Sequence, residues 1–367
     1  MSDRPLYDFD EETREILIRS RLKSECKAEV IGKREGVFGD MYVLDMGHSS
    51  PPHLAAKCPN FKRFGSRKDA DNALQSFLHE VDKTDKVFPS PWVNRFFDIR
   101  IINGWPFLIY RWNHGTLADL IASPSGWNLI GRLSSLLLIV RALRKANAAG
   151  ILAHQDLKPE NIFFSDLKRI VPGTDENVGL RYKMHVGDFG NANAYLELGK
   201  NTGTRPYMAP EQYEKQSLGI EAGPAIDVFS FGVIAHECLC DGLHPIGHIT
   251  TEVWPRRKGE TSLKWGEEKT WRTWARLGDK DFEKLKESCP PDLYPLLVRS
   301  LNPEPARRPT TEDLETVLWQ VLETIDKAYS NNLRYQVDWF EASYQSDSSD
   351  YFKDRVDKLR KFYAGRG

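Results

Sequence analysis

Cysteine is scarce in this chain, and so are long apolar runs and charge of one sign. The five cysteines, Cys26, Cys58, Cys238, Cys240 and Cys289, are odd in number and irregular in spacing. That pattern argues against a disulfide framework and for a reducing, cytoplasmic setting. The most apolar stretch, LSSLLLIVRAL at 133–143, is too short to span a bilayer and is interrupted by Arg141. With 51 Lys+Arg against 52 Asp+Glu the formal net charge is −1, which gives no global basis for binding nucleic acid or anionic membrane. The start, MSDRPLYDFDEETREI, has neither the basic opening nor the apolar core of a signal peptide. No internal repeat is visible.

What is present is enough apolar material, 40% of 367 residues, for a large core. Residues 10–27 read as a charged, solvated amphipathic helix, with packing on the first domain as the other reading. AEVIGKREG, FGDMYVLDMG and HLAAKC read as three short strands. Residues 66–85 have apolar positions at helical spacing, and WVNRFFDIRIING and WPFLIYRW read as two further strands. After RWNHG, 111–115, the chain turns helical, with Leu129–Ala149 ended by Gly150. The pattern predicts an α+β chain of two lobes: a small five-stranded one with one main helix, then a larger, mostly helical one. The stretch SYQSDSSDYFKD reads as a polar linker before a last charged helix at 351–364, either packed on the larger lobe or mobile. EKLKE and KDRVDKLRK read as solvated faces.

The chemistry concentrates in HQDLKPENIFF at 154–164. Pro159 keeps Lys158 out of helical backbone, so this is a stiff loop. Asp156 can accept a proton, Lys158 can stabilise a transferring phosphate, and the amide oxygen of Asn161 can bind a metal. HVGDFGNA follows at 185–192, with Asp188 at a strand end, suited to metal coordination. GTRPYMAPE completes the set at 203–211.

Together these motifs resemble those of the eukaryotic-type Ser/Thr protein kinase family, over roughly Glu29 to Gln320. The resemblance implies a bilobal protein-kinase-like fold with a kinase domain at 28–325, its N-lobe about 28–112 and C-lobe about 113–325. It would be flanked by a helical extension at 1–27 and a helical tail at 326–367. It implies ATP and Mg²⁺ as cofactors, with Mn²⁺ as a substitute ion, and a protein substrate. Asp156 resembles the catalytic base, Lys158 its Ser/Thr-kinase partner, and Thr204 the threonine that shapes the acceptor pocket. Asn161 and Asp188 resemble the metal ligands. Lys57 resembles the lysine on the third strand that holds the nucleotide phosphates, and Glu80 its helix partner. Gly36, Phe38, Gly39 and Ala55 resemble the remaining nucleotide-binding positions, and Met41, also apolar, stands where a Val usually lies over the adenine. Glu211 and Arg308 resemble a buried structural ion pair, whose disruption costs about 3–5 kcal/mol. Asp227 resembles the aspartate that anchors the catalytic loop, and His154 a structural brace. One rival reading is a pseudokinase, a nucleotide-binding or scaffolding module; a second is a small-molecule kinase of related fold, a group that generally lacks the LKPE run and the GTxxYxAPE segment present here.

Four departures stand out. Arg34 occupies the first glycine position of the phosphate loop. Gln155 replaces the Arg that in many kinases pairs with a phosphorylated activation segment, making this a non-RD loop. Only Tyr195 and Thr202 lie between Gly190 and Gly203 as phosphoacceptors, so activity is expected not to need phosphorylation there. PGTDENVG reads as an exposed turn in a long insert after Asn161, and a Trp-rich insert at 249–275 reads as a docking surface or as a satellite core. His236, Cys238, Cys240, His244 and His248 match no zinc spacing, and Cys58 reads as a small core residue facing away from the nucleotide.

Overall fold

The computed structural model describes residues 5–35, 39–47, 51–87, 89–170, 173, 175, 179–197, 199, 202–214, 222–254, 264–346 and 349–364. The chain divides into two compact units: residues 1–89, 94–113 and 345–367 form the first, and residues 90–93 and 114–344 the second.

The first unit is built on five antiparallel strands. They are β1 (Glu29–Glu35), β2 (Asp40–Asp45), β3 (His53–Cys58), β4 (Phe96–Ile102) and β5 (Trp105–Arg111), in spatial order β1-β2-β3-β5-β4. Alternation along the strands sends successive side chains to opposite faces, and each face carries its own apolar cluster. One gathers Tyr42, Leu44, Ala56, Cys58, Phe107 and Ile109. The other gathers Ala55, Phe96, Ile99, Leu108 and Tyr110. Cys58 therefore faces away from Ala55, and burial pushes its thiol well above the ordinary range.

Helix α1 (Glu11–Cys26) is capped by Asp10, whose carboxylate accepts from the Thr13 N–H at 2.9 Å. It is not simply a solvated helix. Ile18 and Leu22, one turn apart, are buried in the Tyr42 cluster. Glu15 accepts from the Tyr42 hydroxyl at 2.7 Å and from Lys33 at 3.2 Å. Leu17 and Cys26 pack against the same cluster, so apolar and polar contacts together dock the helix. Helix α2 (Arg67–Lys86), capped by Ser66, turns Phe77 and Val81 toward the opposite cluster.

The second unit has a three-stranded sheet of β6 (Gly115–Thr116), β7 (Ile162–Asp166) and β8 (Tyr182–Val186), surrounded by helices. The Leu129–Ala148 helix, capped by Asn128, is apolar on nearly every side. It packs against β8 and the helices Ala222–Leu239 and Thr311–Ile325. Gly150 follows it with φ +87°, the left-handed conformation that ends a helix.

Two readings of the tail need correction. Ser343 to Ser346 is not linker but the last turn of a helix running from Lys327 to Ser346. Tertiary contacts override the polar composition: Glu341 accepts from Arg141 at 2.7 Å and from the Trp92 indole at 2.8 Å, and Lys183 lies over the Phe340 and Tyr344 rings. The last helix, Ser349–Ala364, packs on α2 and β4 of the first unit rather than on the larger unit. Its face is not fully solvated, because Val356 and Leu359 are buried there. Most of PGTDENVG lies outside the described residues; its end does not dangle, since Leu180 is buried and its N–H donates to Gln336.

Candidate active site

In the second unit, HQDLKPEN is an irregular loop leading through a short 3₁₀ turn into β7. Two of its side chains, Asp156 and Lys158, meet Thr204, and Asn161 braces Asp156. The Thr204 hydroxyl donates to Asp156 Oδ1 at 2.7 Å. Lys158 Nζ donates to Asp156 Oδ2 at 3.1 Å and to Thr204 Oγ1 at 2.8 Å. Asn161 Nδ2 donates to the Asp156 carbonyl at 2.8 Å. Each polar group therefore fixes another, which is how a site holds reacting groups in place without reorganisation.

The loop is held from beneath. Asp227 accepts from the backbone N–H of His154 at 2.7 Å and of Gln155 at 3.1 Å. Burial pushes the Asp227 carboxyl up to about 6, against the opposing pull of His154 and these two N–H groups. The His154 ring shares a hydrogen bond with the Gly187 carbonyl at 2.9 Å and packs on Phe189 at 4.9 Å between centroids. That contact joins the loop to the Asp188 turn. Asp188 itself takes left-handed backbone, φ 64°, and is half-buried.

The Asn161 and Asp188 donor set fits a hard divalent cation. One carboxylate and one amide oxygen suit Mg²⁺ when phosphates supply further ligands. The Asn161 Nδ2 bond to Asp156 leaves Oδ1 as the atom for a cation. Among the described residues no group of three His, Cys, Asp or Glu is placed to hold a metal. The His/Cys set at 236–248 is engaged elsewhere: His236 bonds the Leu243 and Asp281 carbonyls, and His244 the Pro206 carbonyl. Burial drives the His244 ring down to about 3, so it stays neutral.

In the first unit, Lys57 on β3 reaches Glu80 on α2, with Nζ 2.7 and 2.8 Å from the two carboxylate oxygens. Tyr110 adds a hydroxyl donor to Glu80 Oε1 at 3.2 Å. Met41 sits opposite Lys57 in the sheet register, and Ala55 lies two residues before it on the same face of β3. Gly39 is tightly placed, since a Cβ there would stand 2.6 Å from the Cys58 carbonyl oxygen. Gly36 and Phe38 lie outside the described residues. Arg34 is exposed, with its guanidinium 5.2 Å from the Trp112 ring centre.

Gln155 is fully buried and takes φ 67°. Its side-chain oxygen accepts from the Tyr195 backbone N–H at 2.7 Å. Its carbonyl accepts from Gln212 Nε2 at 2.9 Å, and the same Gln212 nitrogen reaches the Thr202 carbonyl. Gly203 runs so close that a Cβ would meet the Gln155 carbonyl oxygen at 2.7 Å. Sequence reasoning missed Tyr110, Gln212 and also Asn193, which pairs with Ala153 and Gly150. Asn193 left a trace in its residue type, since Asn tolerates the left-handed φ 57° found there.

The Trp-rich insert is divided. Trp271 and Trp274 are interior, packed on His244 at 5.6 and 4.7 Å, while Trp254 and Trp265 are half-buried. Glu211 and Arg308 form a bidentate pair at 2.6 and 2.8 Å.

The protein kinase domain model matches residues 35–320. Over 92 residues, 24% of this chain and 15% of the relative, the chain is 42% identical to the interferon-induced, double-stranded RNA-activated protein kinase of Rattus norvegicus. Over 104 residues, 27% of this chain and 20% of the relative, it is 36% identical to the serine/threonine-protein kinase PknA of Mycobacterium tuberculosis. A longer match, 25% identical over 308 residues, covers 81% of this chain and 60% of the serine/threonine-protein kinase VIK of Arabidopsis thaliana. The chain thus spans less than two thirds of each of these relatives. With a family model covering most of its length and the loop, turn and ion-pair residues on these elements, the chain belongs to the protein kinase family.

Proposed function

We propose that this chain is a Ser/Thr protein kinase that transfers the γ-phosphate of ATP to protein hydroxyls, with Mg²⁺ as metal. The observation that carries this is the Asp156–Lys158–Thr204 cluster. Asp156 orients the acceptor hydroxyl and takes its proton as the new O–P bond forms and the bond to the β-phosphate oxygen breaks. Lys158 offsets charge on the transferring oxygens, and Thr204 keeps both groups aligned. Lys57, oriented by Glu80, grips the α- and β-phosphates. Asn161 and Asp188 would hold Mg²⁺, which supplies positive charge against the phosphates when bound. We assign the kinase domain to 28–325, with 1–27 and 326–367 as extensions. The five free cysteines, four of them buried, support a reducing, cytoplasmic setting. Among the described residues no helix is long and apolar enough to cross a membrane. Docking of a protein partner through 249–275 would fall to half-buried Trp254, beside Arg205, and half-buried Trp265, since Trp271 and Trp274 are interior.

The switch follows from Gln155. A neutral amide cannot form the charge-assisted pair that an Arg makes with a phosphorylated residue. Here its hydrogen bond to Tyr195 supports an activation segment already tied to the loop. The Tyr195 side chain is 1% exposed, and Thr202 Oγ1 is buried. Neither hydroxyl is presented to a second kinase.

Asp156→Ala should cut phosphoryl transfer by roughly a thousandfold or more while MgATP binding survives. Radiolabel transfer and nucleotide titration on the same sample read both quantities. Retained turnover would sink the assignment, and no transfer by the unaltered chain would favour the pseudokinase.

A further inference from the structure

Helix α2 carries Glu80 to Lys57, and a second element in the same unit bears on it. The C-terminal helix, Ser349–Ala364, packs against α2 and β4. Val356 and Leu359 lie three residues apart on one helical face and are 0% and 1% exposed. They share a cluster with Phe77 and Val81 of α2 and with Leu108 and Tyr110 of β5. Arg360 adds ion pairs to Asp82 at 2.8 Å and Asp85 at 3.1 Å, both on α2. The Tyr363 hydroxyl donates to the Gly104 carbonyl between β4 and β5 at 2.9 Å.

Two aromatic residues belong to both arrangements. Phe77 sits in the cluster with Val356 and Leu359, and Lys57 Nζ is 5.9 Å from its ring centre. Tyr110 sits in the same cluster, and its hydroxyl donates to Glu80. Phe77 is also one turn before Glu80 on α2. Phe77 and Val81 thus tie the Glu80 stretch of α2 to the cluster that holds the C-terminal helix.

We propose that the C-terminal helix is a built-in clamp on α2, in which Val356, Leu359 and Arg360 are positioning residues that act on nucleotide use through the Lys57–Glu80 pair. The proposal rests on the reading of that pair as the phosphate grip. Because the helix is part of the same chain, docking is unimolecular. Releasing it shifts α2 toward unpaired states rather than destroying the site.

The test uses the full chain with Leu359→Asp, with Arg360→Glu, and with Arg360→Glu combined with Asp82→Arg and Asp85→Arg. Three quantities are read on each: amide exchange over residues 67–86, kcat/KM for MgATP, and the melting temperature. Leu359→Asp should speed exchange in α2 and lower kcat/KM by roughly tenfold each, while exchange in the Leu129–Ala148 helix stays unchanged. Arg360→Glu, an exposed change that leaves the fold intact, should shift both by about threefold, and the charge swap should restore them. A helix whose role is only structural would lower melting without moving kcat/KM or α2 exchange. The clamp is overturned if the amides of 349–364 become freely exchanging in Leu359→Asp while α2 exchange stays at the wild-type rate, or if the charge swap fails to restore what Arg360→Glu loses. If the unaltered chain transfers no phosphate, the kinase reading fails, and α2 exchange still decides the clamp in either direction.

Discussion

Two cation–carboxylate pairs, one in each unit, use the same charges in different ways. Arg308 spends all five of its N–H donors. Two pairs of contacts go to Glu211 and Ala225, and to Glu211 and Pro303, while Nε goes to Asn302. Nothing remains to offer a ligand, so this pair is a brace between distant parts of the chain. Lys57 is a compact ammonium on a flexible stem, and Glu80 rides on a helix that side chains hold in place. A guanidinium fork suits permanent anchoring, while a lysine suits a contact that can be made and broken. The Arg308 side chain is fully buried, whereas that of Lys57 keeps 14% of its surface exposed.

That contrast can be broken experimentally. The largest effect expected is on stability: Arg308→Ala leaves the Glu211 carboxylate buried and alone, costing about 3–5 kcal/mol in denaturant unfolding. Glu80→Gln keeps the shape and loses the charge, so kcat/KM for MgATP should fall by roughly 10- to 100-fold with unfolding changed by about 1 kcal/mol or less. Equal destabilisation by the two substitutions would erase the distinction. Glu341 is an intermediate case. Burial would raise its carboxyl, but hydrogen bonds from Arg141 and Trp92 outweigh it and hold it down at about 2. A depressed carboxyl stabilises the fold above its ordinary value of 4.5 and loses that contribution as pH falls toward about 2. Glu341→Gln should accordingly flatten the stability-against-pH curve between about pH 5 and 2, by roughly 2 kcal/mol. A curve as steep as that of the unaltered chain would mean that Glu341 contributes nothing to this pH dependence.

Much of the site was legible because its motif is local. Asp156, Lys158 and Asn161 fall within six residues, and a stiff loop through Pro159 leaves them few arrangements. The five strands and α2 were legible from alternation and helical spacing. What was not legible depended on partners far along the chain. Gln155 revealed what it could not do, but its acceptor role needs the Tyr195 backbone, 40 residues on, and Gln212. The C-terminal helix looked solvated because KDRVDKLRK offers only Val356 and Leu359 as apolar residues. Spacing announces a helical face, but which groove receives that face is a property of α2 and β4. The same holds for α1, whose apolar residues Leu17, Ile18, Leu22 and Cys26 do not by themselves name the cluster that receives them.

On the proposed reading, the transfer chemistry is complete in a chain carrying no phosphate on its activation segment. The most direct measurement is radiolabel transfer from MgATP to a generic protein substrate. It uses phosphatase-treated chain whose mass confirms the absence of phosphate, beside the Tyr195→Phe/Thr202→Ala double variant. Both samples should transfer phosphate at rates within about threefold of the untreated chain, and Asp156→Ala should abolish transfer. Loss of transfer in folded, phosphate-free chain, regained only after phosphorylation of Tyr195 or Thr202, would contradict it.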